Sequence, residues 1–379
     1  MKKYIAFIFA LVAMTAMFSS VNFMPTKKLN ALNEYKGMVV IEQNSKRVLD
    51  EYNKDQRFPM ASTTKIMTAL VILKNCPDLE REIAINDKAI GIEGTSMYLR
   101  KGEKLTLKEL LAGMMLPSGN DAATALALSV CDTMEEFAEL MNKEAKELGL
   151  ENTNFKNSHG LDEDEHYTSA YDLATISAEA MKYKEFTELV VQSSMQVRGA
   201  GGDQGDIRFL KNKNKFIKLY EGATGIKTGF TDNAGRCLVA SSTRGKMNLI
   251  CVVLNCPTMF ETAGRLMNKA YEKYNYVELL PAYNCYRKMD VQNGKETEVK
   301  LYTCRGFAYP LTQEETAEIT YDYHVPSSLT APIKKEEVIG YVEIILGETV
   351  LFKENIYAMD EIKGTNFLNN FQSILENWY

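Results

Sequence analysis

The sequence predicts an α/β (α+β) protein: one antiparallel sheet covered by helices, then a small all-β domain, then a terminal amphipathic helix. Three observations predict it. A hairpin pattern stands early, with strands at 38–42 and 47–52 around a turn at Asn44-Ser45. Helical spacing of apolar residues follows, and antiparallel strand patterns return only at 225–254. From about Val277 the pattern becomes short alternating strands separated by turns. With 379 residues there is chain enough for two domains and a core in each.

The first residues read as an export signal. Lys2 and Lys3 precede an apolar run over 4–18, short for a spanning helix, and cleavage near Ser19-Ser20 or Ala31 is compatible with the flanks. Residues 1–31 are therefore assigned to a signal peptide or N-terminal anchor, and the protein is expected to work outside the cytoplasmic membrane. The net charge of −6 leaves no basic excess for phosphates, which argues against nucleic acid as a partner. Three histidines and no paired Cys-x-x-Cys argue against a metal site, and no cofactor is expected. The seven cysteines show no framework spacing and read mostly as small buried apolar residues, as suits a reducing habitat.

After the hairpin, Ile66, Ala69, Leu70 and Leu73 pin a helix that opens at Ser62 and ends near Pro77. Thr106-Leu107-Lys108-Glu109 is a capping box for a helix through Leu116, broken by Pro117. Asn120 or Asp121 is expected to cap a helix at 122–130, and Thr133-x-x-Glu136 forms a second capping box. That next helix carries Phe137, Leu140, Met141, Ala145 and Leu148 and stops at Gly149. A helix at 170–182, strands at 225–230, 236–242 and 247–254, and a helix at 259–274 complete the first domain, 32–276. Strands at 298–302, 317–323, 338–345 and 349–352 build the small β-sandwich-like domain, 277–362. In the last stretch, 363–379, Phe367, Phe371, Ile374 and Trp378 form an amphipathic stripe. It reads either as a helix docked on its own protein or as a membrane-surface anchor.

Three short motifs carry chemistry. In Ser62-Thr63-Thr64-Lys65 the serine and lysine share one side of a first helical turn. A serine hydroxyl needs a base, and a lysine can serve if desolvation or a second cation keeps it neutral. Ser118-Gly119-Asn120 stands in an inter-helix loop and Lys227-Thr228-Gly229 in a strand. Each is common alone; in this order and these settings they form the Ser-x-x-Lys, Ser-x-Asn, Lys-Thr-Gly set. Lys227 can hold Lys65 neutral by like-charge repulsion. Ser118 can relay a proton to a leaving amine, and Asn120 can hold a substrate amide or the Lys65 side chain. Lys227 and Thr228 can bind a carboxylate.

The flanks narrow the set. The segments Pro59-Met60-Ala61-Ser62, Ser118-Gly119-Asn120-Asp121-Ala122-Ala123 and Gly225-Ile226-Lys227-Thr228-Gly229-Phe230-Thr231 resemble the D-alanyl-D-alanine carboxypeptidases, the low-molecular-mass penicillin-binding proteins. So do Asn152-Thr153-x-Phe155, His159-Gly160-Leu161 and Ala234-Gly235-Arg236-Cys237, and more faintly Leu329-Thr330-Ala331-Pro332. The resemblance implies a β-lactamase/penicillin-binding-protein-like fold with a helical subdomain. It also implies a serine peptidase that trims D-alanine from peptidoglycan stem peptides at the outer face of the cytoplasmic membrane and is acylated by β-lactams. The setting it implies is cell-wall and cell-shape maintenance, spore cortex modification among its forms. It further implies catalytic roles for Ser62, Lys65, Ser118, Asn120 and Lys227, substrate binding by Lys227, Thr228, Gly229 and Phe230, and an oxyanion hole from the N–H groups of Ser62 and Phe230.

The chain departs from the family at the position of a carboxylate-binding arginine, where the ungapped residue is Thr262, with Arg265 almost one turn later. Two rival readings are a β-lactamase and a non-catalytic penicillin-binding sensor. His159 with Asp162 reads as loop shaping rather than a catalytic pair, and Glu163, Asp164 and Glu165 as a solvated loop rather than a deacylating glutamate.

Overall fold

The computed structural model describes residues 34–199, 206–283 and 285–365. The leader expected at 1–31 and the amphipathic stripe from Phe367 onward lie outside the described residues. Strands β1 (Gly37–Glu42), buried throughout, and β2 (Val48–Tyr52) form the expected hairpin. Next come a 3-10 turn over Ala61–Thr64 and the helix α1 (Lys65–Asn75), which is buried from Lys65 to Leu73. A helix apolar on every side must sit inside. Ser62 therefore does not cap α1; it rides on the tight turn that precedes it.

A short hairpin, β3 (Glu82–Ala84) and β4 (Lys104–Thr106), leads into α2 (Leu107–Met115), with both halves of the Thr106–Glu109 capping box formed. Then follow α3 (Asn120–Ala127), α4 (Met134–Glu147), α5 (Ala170–Ala180) and α6 (Lys184–Val190). The second capping box forms by half. Thr133 accepts from the Glu136 N–H, but the Glu136 carboxylate takes the Asp132 N–H instead. A further hairpin, β5 (Ser194–Arg198) and β6 (Ile207–Lys211), and the one-turn α7 (Phe216–Leu219) were not legible as elements in the sequence pattern.

The chain returns to the main sheet through β7 (Ala223–Thr231), β8 (Gly235–Arg244) and β9 (Met247–Leu254), and α8 (Met259–Lys273) covers it. The sheet order is β2-β1-β9-β8-β7, antiparallel throughout. Alternation along β9 sends Ile250 and Val252 to the helical core with α1 and α5, and Cys251 and Val253 to the α7–α8 layer. β7 is an edge strand, and that edge faces the Ser62 turn.

Beyond α8, β10 (Asn275–Leu280) pairs with β13 (Phe307–Leu311). A six-stranded sheet combines β11 (Cys285–Gln292), β12 (Glu298–Thr303), β14 (Ile319–His324), β15 (Leu329–Thr330), β16 (Val338–Leu346) and β17 (Thr349–Ala358). Its own core includes Val299, Leu301, Val342, Ile344 and Ile356. The strand expected from Ala317 starts later, at Ile319. Thr312 and Glu315 form a capping box that turns 313–317 into a helical turn, α9 (Gln313–Ala317). All seven cysteines are free, and Cys76, Cys237, Cys251 and Cys256 are buried. No described helix is long and apolar enough to cross a membrane.

One side chain from the β1–β2 hairpin, Arg47, reaches across to the β-rich unit. The Arg47 guanidinium carbon lies 5.2 Å from the Tyr274 ring centroid and 5.0 Å from that of Tyr309. It also donates to the Pro310 carbonyl and the Glu315 carboxylate. Arg47→Ala removes about 1–2 kcal/mol of docking. It is therefore expected to speed proteolytic cleavage between 274 and 312 on the order of tenfold. Unchanged cleavage would deny Arg47 this role.

Candidate active site

The site lies where the edge strand β7 meets the turn that carries Ser62. Gly229 makes the approach possible, since a Cβ there would stand 3.0 Å from both the Met60 carbonyl oxygen and the Ser62 nitrogen. Ala61, just before the serine, has φ 49°, a left-handed conformation that costs a non-glycine residue about 1 kcal/mol or more. On the opposite side, a Cβ on Gly160 (φ 90°) would fall 1.9 Å from the Ala61 carbonyl oxygen. The turn is thus wedged between a strand glycine and a loop glycine.

Lys65 is fully buried, and its amine has three neighbours: Ser62 Oγ at 2.9 Å, Asn120 Oδ1 at 2.7 Å and the His159 carbonyl oxygen at 2.6 Å. The Asn120 orientation is fixed, because its Nδ2 donates to the Glu93 carbonyl at 2.6 Å. Asn120 Oδ1 and the His159 oxygen can only accept, whereas a serine hydroxyl can also donate. A neutral amine spends its two N–H groups on the two carbonyl-type oxygens and turns its lone pair to the Ser62 hydroxyl. The electrostatics favour that form. Burial lowers the Lys65 pKa well below the ordinary ammonium range, and the charges of Lys227 and Lys213 lower it further.

Lys227 is also buried; desolvation, then Lys213, bring it down to about 7. Its amine donates to the Thr228 carbonyl at 3.0 Å. Ser118 has φ 69°, and its Oγ is buried with no hydrogen-bond partner among the described residues. A buried hydroxyl left without a protein partner is costly, which suits a group kept for an incoming one. Asn120 does not cap α3, as the sequence suggested it could. It is the first helical residue, behind Gly119, because its side chain is committed to Lys65 and Glu93. Asp121 does not cap either: its carboxylate accepts from Ser96 Oγ and the Met97 and Leu99 N–H groups, tying down the preceding loop.

Three contributors escaped the sequence reading. The His159 and Glu93 carbonyls are backbone groups, which no side-chain pattern reveals. Lys213 follows β6 with no motif around it. The His159 ring is not a catalytic base. Burial and then Lys65 bring it down to about 3, and its Nδ1 accepts from the Leu161 N–H at 3.2 Å. Asp162 does not face it, but accepts from Thr231 Oγ1 at 2.9 Å. Glu163 accepts from Asn157 Nδ2, a structural tie. Thr262 is fully buried with its hydroxyl on Glu34, and Arg265 pairs with the same carboxylate at 2.5 Å.

Set against known proteins, residues 27–258 match the family model described as D-alanyl-D-alanine carboxypeptidase. The chain belongs to the D-alanyl-D-alanine carboxypeptidase family. This carboxypeptidase also matches, over 274–364, the model of the penicillin-binding protein 5 C-terminal domain. It is 33% identical to D-alanyl-D-alanine carboxypeptidase DacF of Bacillus subtilis, over 91% of this chain and 90% of the relative. It is 30% identical to DacA of Escherichia coli, over 90% and 88% of the two chains. Penicillin binding protein 5 from Haemophilus influenzae superposes with a TM-score of 0.70 at 28% identity, covering 87% of this chain and 98% of that one. The enzyme class is that of the family, a serine-type carboxypeptidase.

Proposed function

We propose that this carboxypeptidase removes the terminal D-alanine from peptidoglycan stem pentapeptides through an acyl-enzyme on Ser62. The observation that carries the reading is the Lys65 amine, 2.9 Å from Ser62 Oγ, with two obligate acceptors taking its other hydrogens. The Ser62 proton passes to Lys65 as Oγ attacks the penultimate carbonyl. The N–H groups of Ser62 and Phe230 hold the oxyanion, a contribution of on the order of 10²–10³ in rate per donor. The Lys65 proton then reaches the leaving amine through Ser118, D-alanine departs, and water cleaves the ester by the reverse relay. Asn120 orients Lys65, Lys227 depresses its basicity, and Thr228 with Gly229 lines the strand edge beside the peptide. β-Lactams acylate the same serine. The work is wall maturation outside the cytoplasmic membrane, with the leader and the terminal stripe serving export and attachment to its outer face.

Incubation with a stem pentapeptide and, separately, with labelled penicillin tests this. Release of D-alanine and a long-lived penicillin adduct are expected. Rapid loss of the adduct without D-alanine would indicate a β-lactamase, and no reaction of either kind a non-catalytic sensor. The wedge at the Ser62 turn gives a second check. Gly160→Ala is expected to cost about 1–3 kcal/mol of stability and to slow penicillin acylation, because the Ala61 carbonyl must move. Wild-type acylation and melting in that variant would contradict the wedge.

A further inference from the structure

A carboxypeptidase must recognise a free terminal carboxylate, which calls for a cation that stays charged beside the edge of β7. The groups described so far serve poorly. Lys65 acts as a neutral base. The Lys227 amine is buried against the Thr228 carbonyl. Arg265 is bound to Glu34. The Lys213 pKa is itself lowered by desolvation, and its charge already bears on Lys65 and Lys227.

Arg236 on β8 remains. In the β7–β8 register Phe230 lies opposite Arg236, and Thr228 opposite Leu238. Side chains alternate along a strand, so Thr228, Phe230 and Arg236 share one face, while Gly229 turns its other face to the Ser62 turn. Arg236 is then the diagonal neighbour of Thr228, about 7–8 Å away at the backbone, within reach of an arginine. Its guanidinium carbon sits 6.0 Å from the Phe230 ring centroid. The side chain is exposed and has no hydrogen-bond or ion-pair partner among the described residues. In that it differs from every other arginine between 34 and 274, each of which donates to a neighbour or pairs with a carboxylate.

We propose that Arg236, steered by the Phe230 ring, binds the terminal carboxylate of the peptide together with Thr228 and so sets the preference for a free C-terminus. The proposal rests on the carboxypeptidase reading above. A guanidinium offers the carboxylate two parallel N–H donors, and the pair forms only when substrate arrives, so no protein contact needs to be broken.

The test compares a diacyl-Lys-D-Ala-D-Ala peptide with the same peptide ending in a carboxamide, using the wild type, Arg236→Gln and Arg236→Lys. Wild type is expected to prefer the free acid. Arg236→Gln is expected to lose roughly 10–100-fold in kcat/KM on the acid and to change less than about twofold on the amide. Arg236→Lys should fall between them, and the thermal midpoints of all three should agree. An equal loss on both peptides would overturn the proposal in favour of a structural role. Unchanged hydrolysis of the acid by Arg236→Gln would show the side chain to be a solvated surface cation. Wild type that releases neither D-alanine nor D-alaninamide would overturn the carboxypeptidase reading itself, and this assignment with it.

Discussion

Ser62→Ala is expected to abolish D-alanine release, with a loss on the order of 10⁴–10⁶ in kcat, while leaving the fold intact. The magnitude follows from losing the nucleophile of a two-step mechanism, which removes the covalent path altogether. The fold should survive because the Ser62 Oγ contact is only one of three at the Lys65 amine, and Asn120 and His159 still hold it. The measurement is D-alanine released from a pentapeptide, with thermal unfolding alongside. Residual activity within about tenfold of wild type would mean that a different group attacks.

Lys65→Met and Lys65→Arg are the second large effect, each expected to lower acylation by about 10²–10⁴ or more. The arginine variant is the informative one. It preserves a cation but cannot deprotonate, so it fails if Lys65 is the base and survives if a positive charge alone is needed. The pH dependence carries the same logic. Lys65 must be neutral, so activity rises with pH through its lowered pKa. Lys227, brought down to about 7, loses through that pH the charge that helps depress Lys65. Replacing Lys213, whose charge lowers Lys65, should move the acidic limb to higher pH. A profile whose acidic limb ignores Lys213 would remove that cation from the account.

The parts legible in the sequence are those in which local pattern and tertiary role coincide. Ser62 and Lys65 sit a helical turn apart, and the Thr106–Glu109 box is complete within four residues. The β1–β2 hairpin and the run from β7 to β9 alternate cleanly enough to read as strands. What could not be read depends on partners far along the chain. Asn120 looked like a helix cap because asparagine caps helices, yet Lys65, fifty-five positions earlier, claims its side chain. The β5–β6 hairpin has little apolar alternation of its own. It is pinned instead by Arg198 to Glu109 and Glu82 and by Arg208 to Glu103. The Arg47 clamp joins a hairpin at the start of the chain to a turn near residue 315. Such pairings appear only once the chain is folded.

The proposed mechanism turns on Ser62 Oγ as the nucleophile that takes up the acyl group. The most direct measurement is the mass of the protein after incubation with benzylpenicillin, followed by peptide mapping of the adduct. A single gain equal to the whole penicillin is expected on the peptide carrying Ser62, and none in Ser62→Ala. An adduct on any other residue, or one that persists in Ser62→Ala, would contradict it.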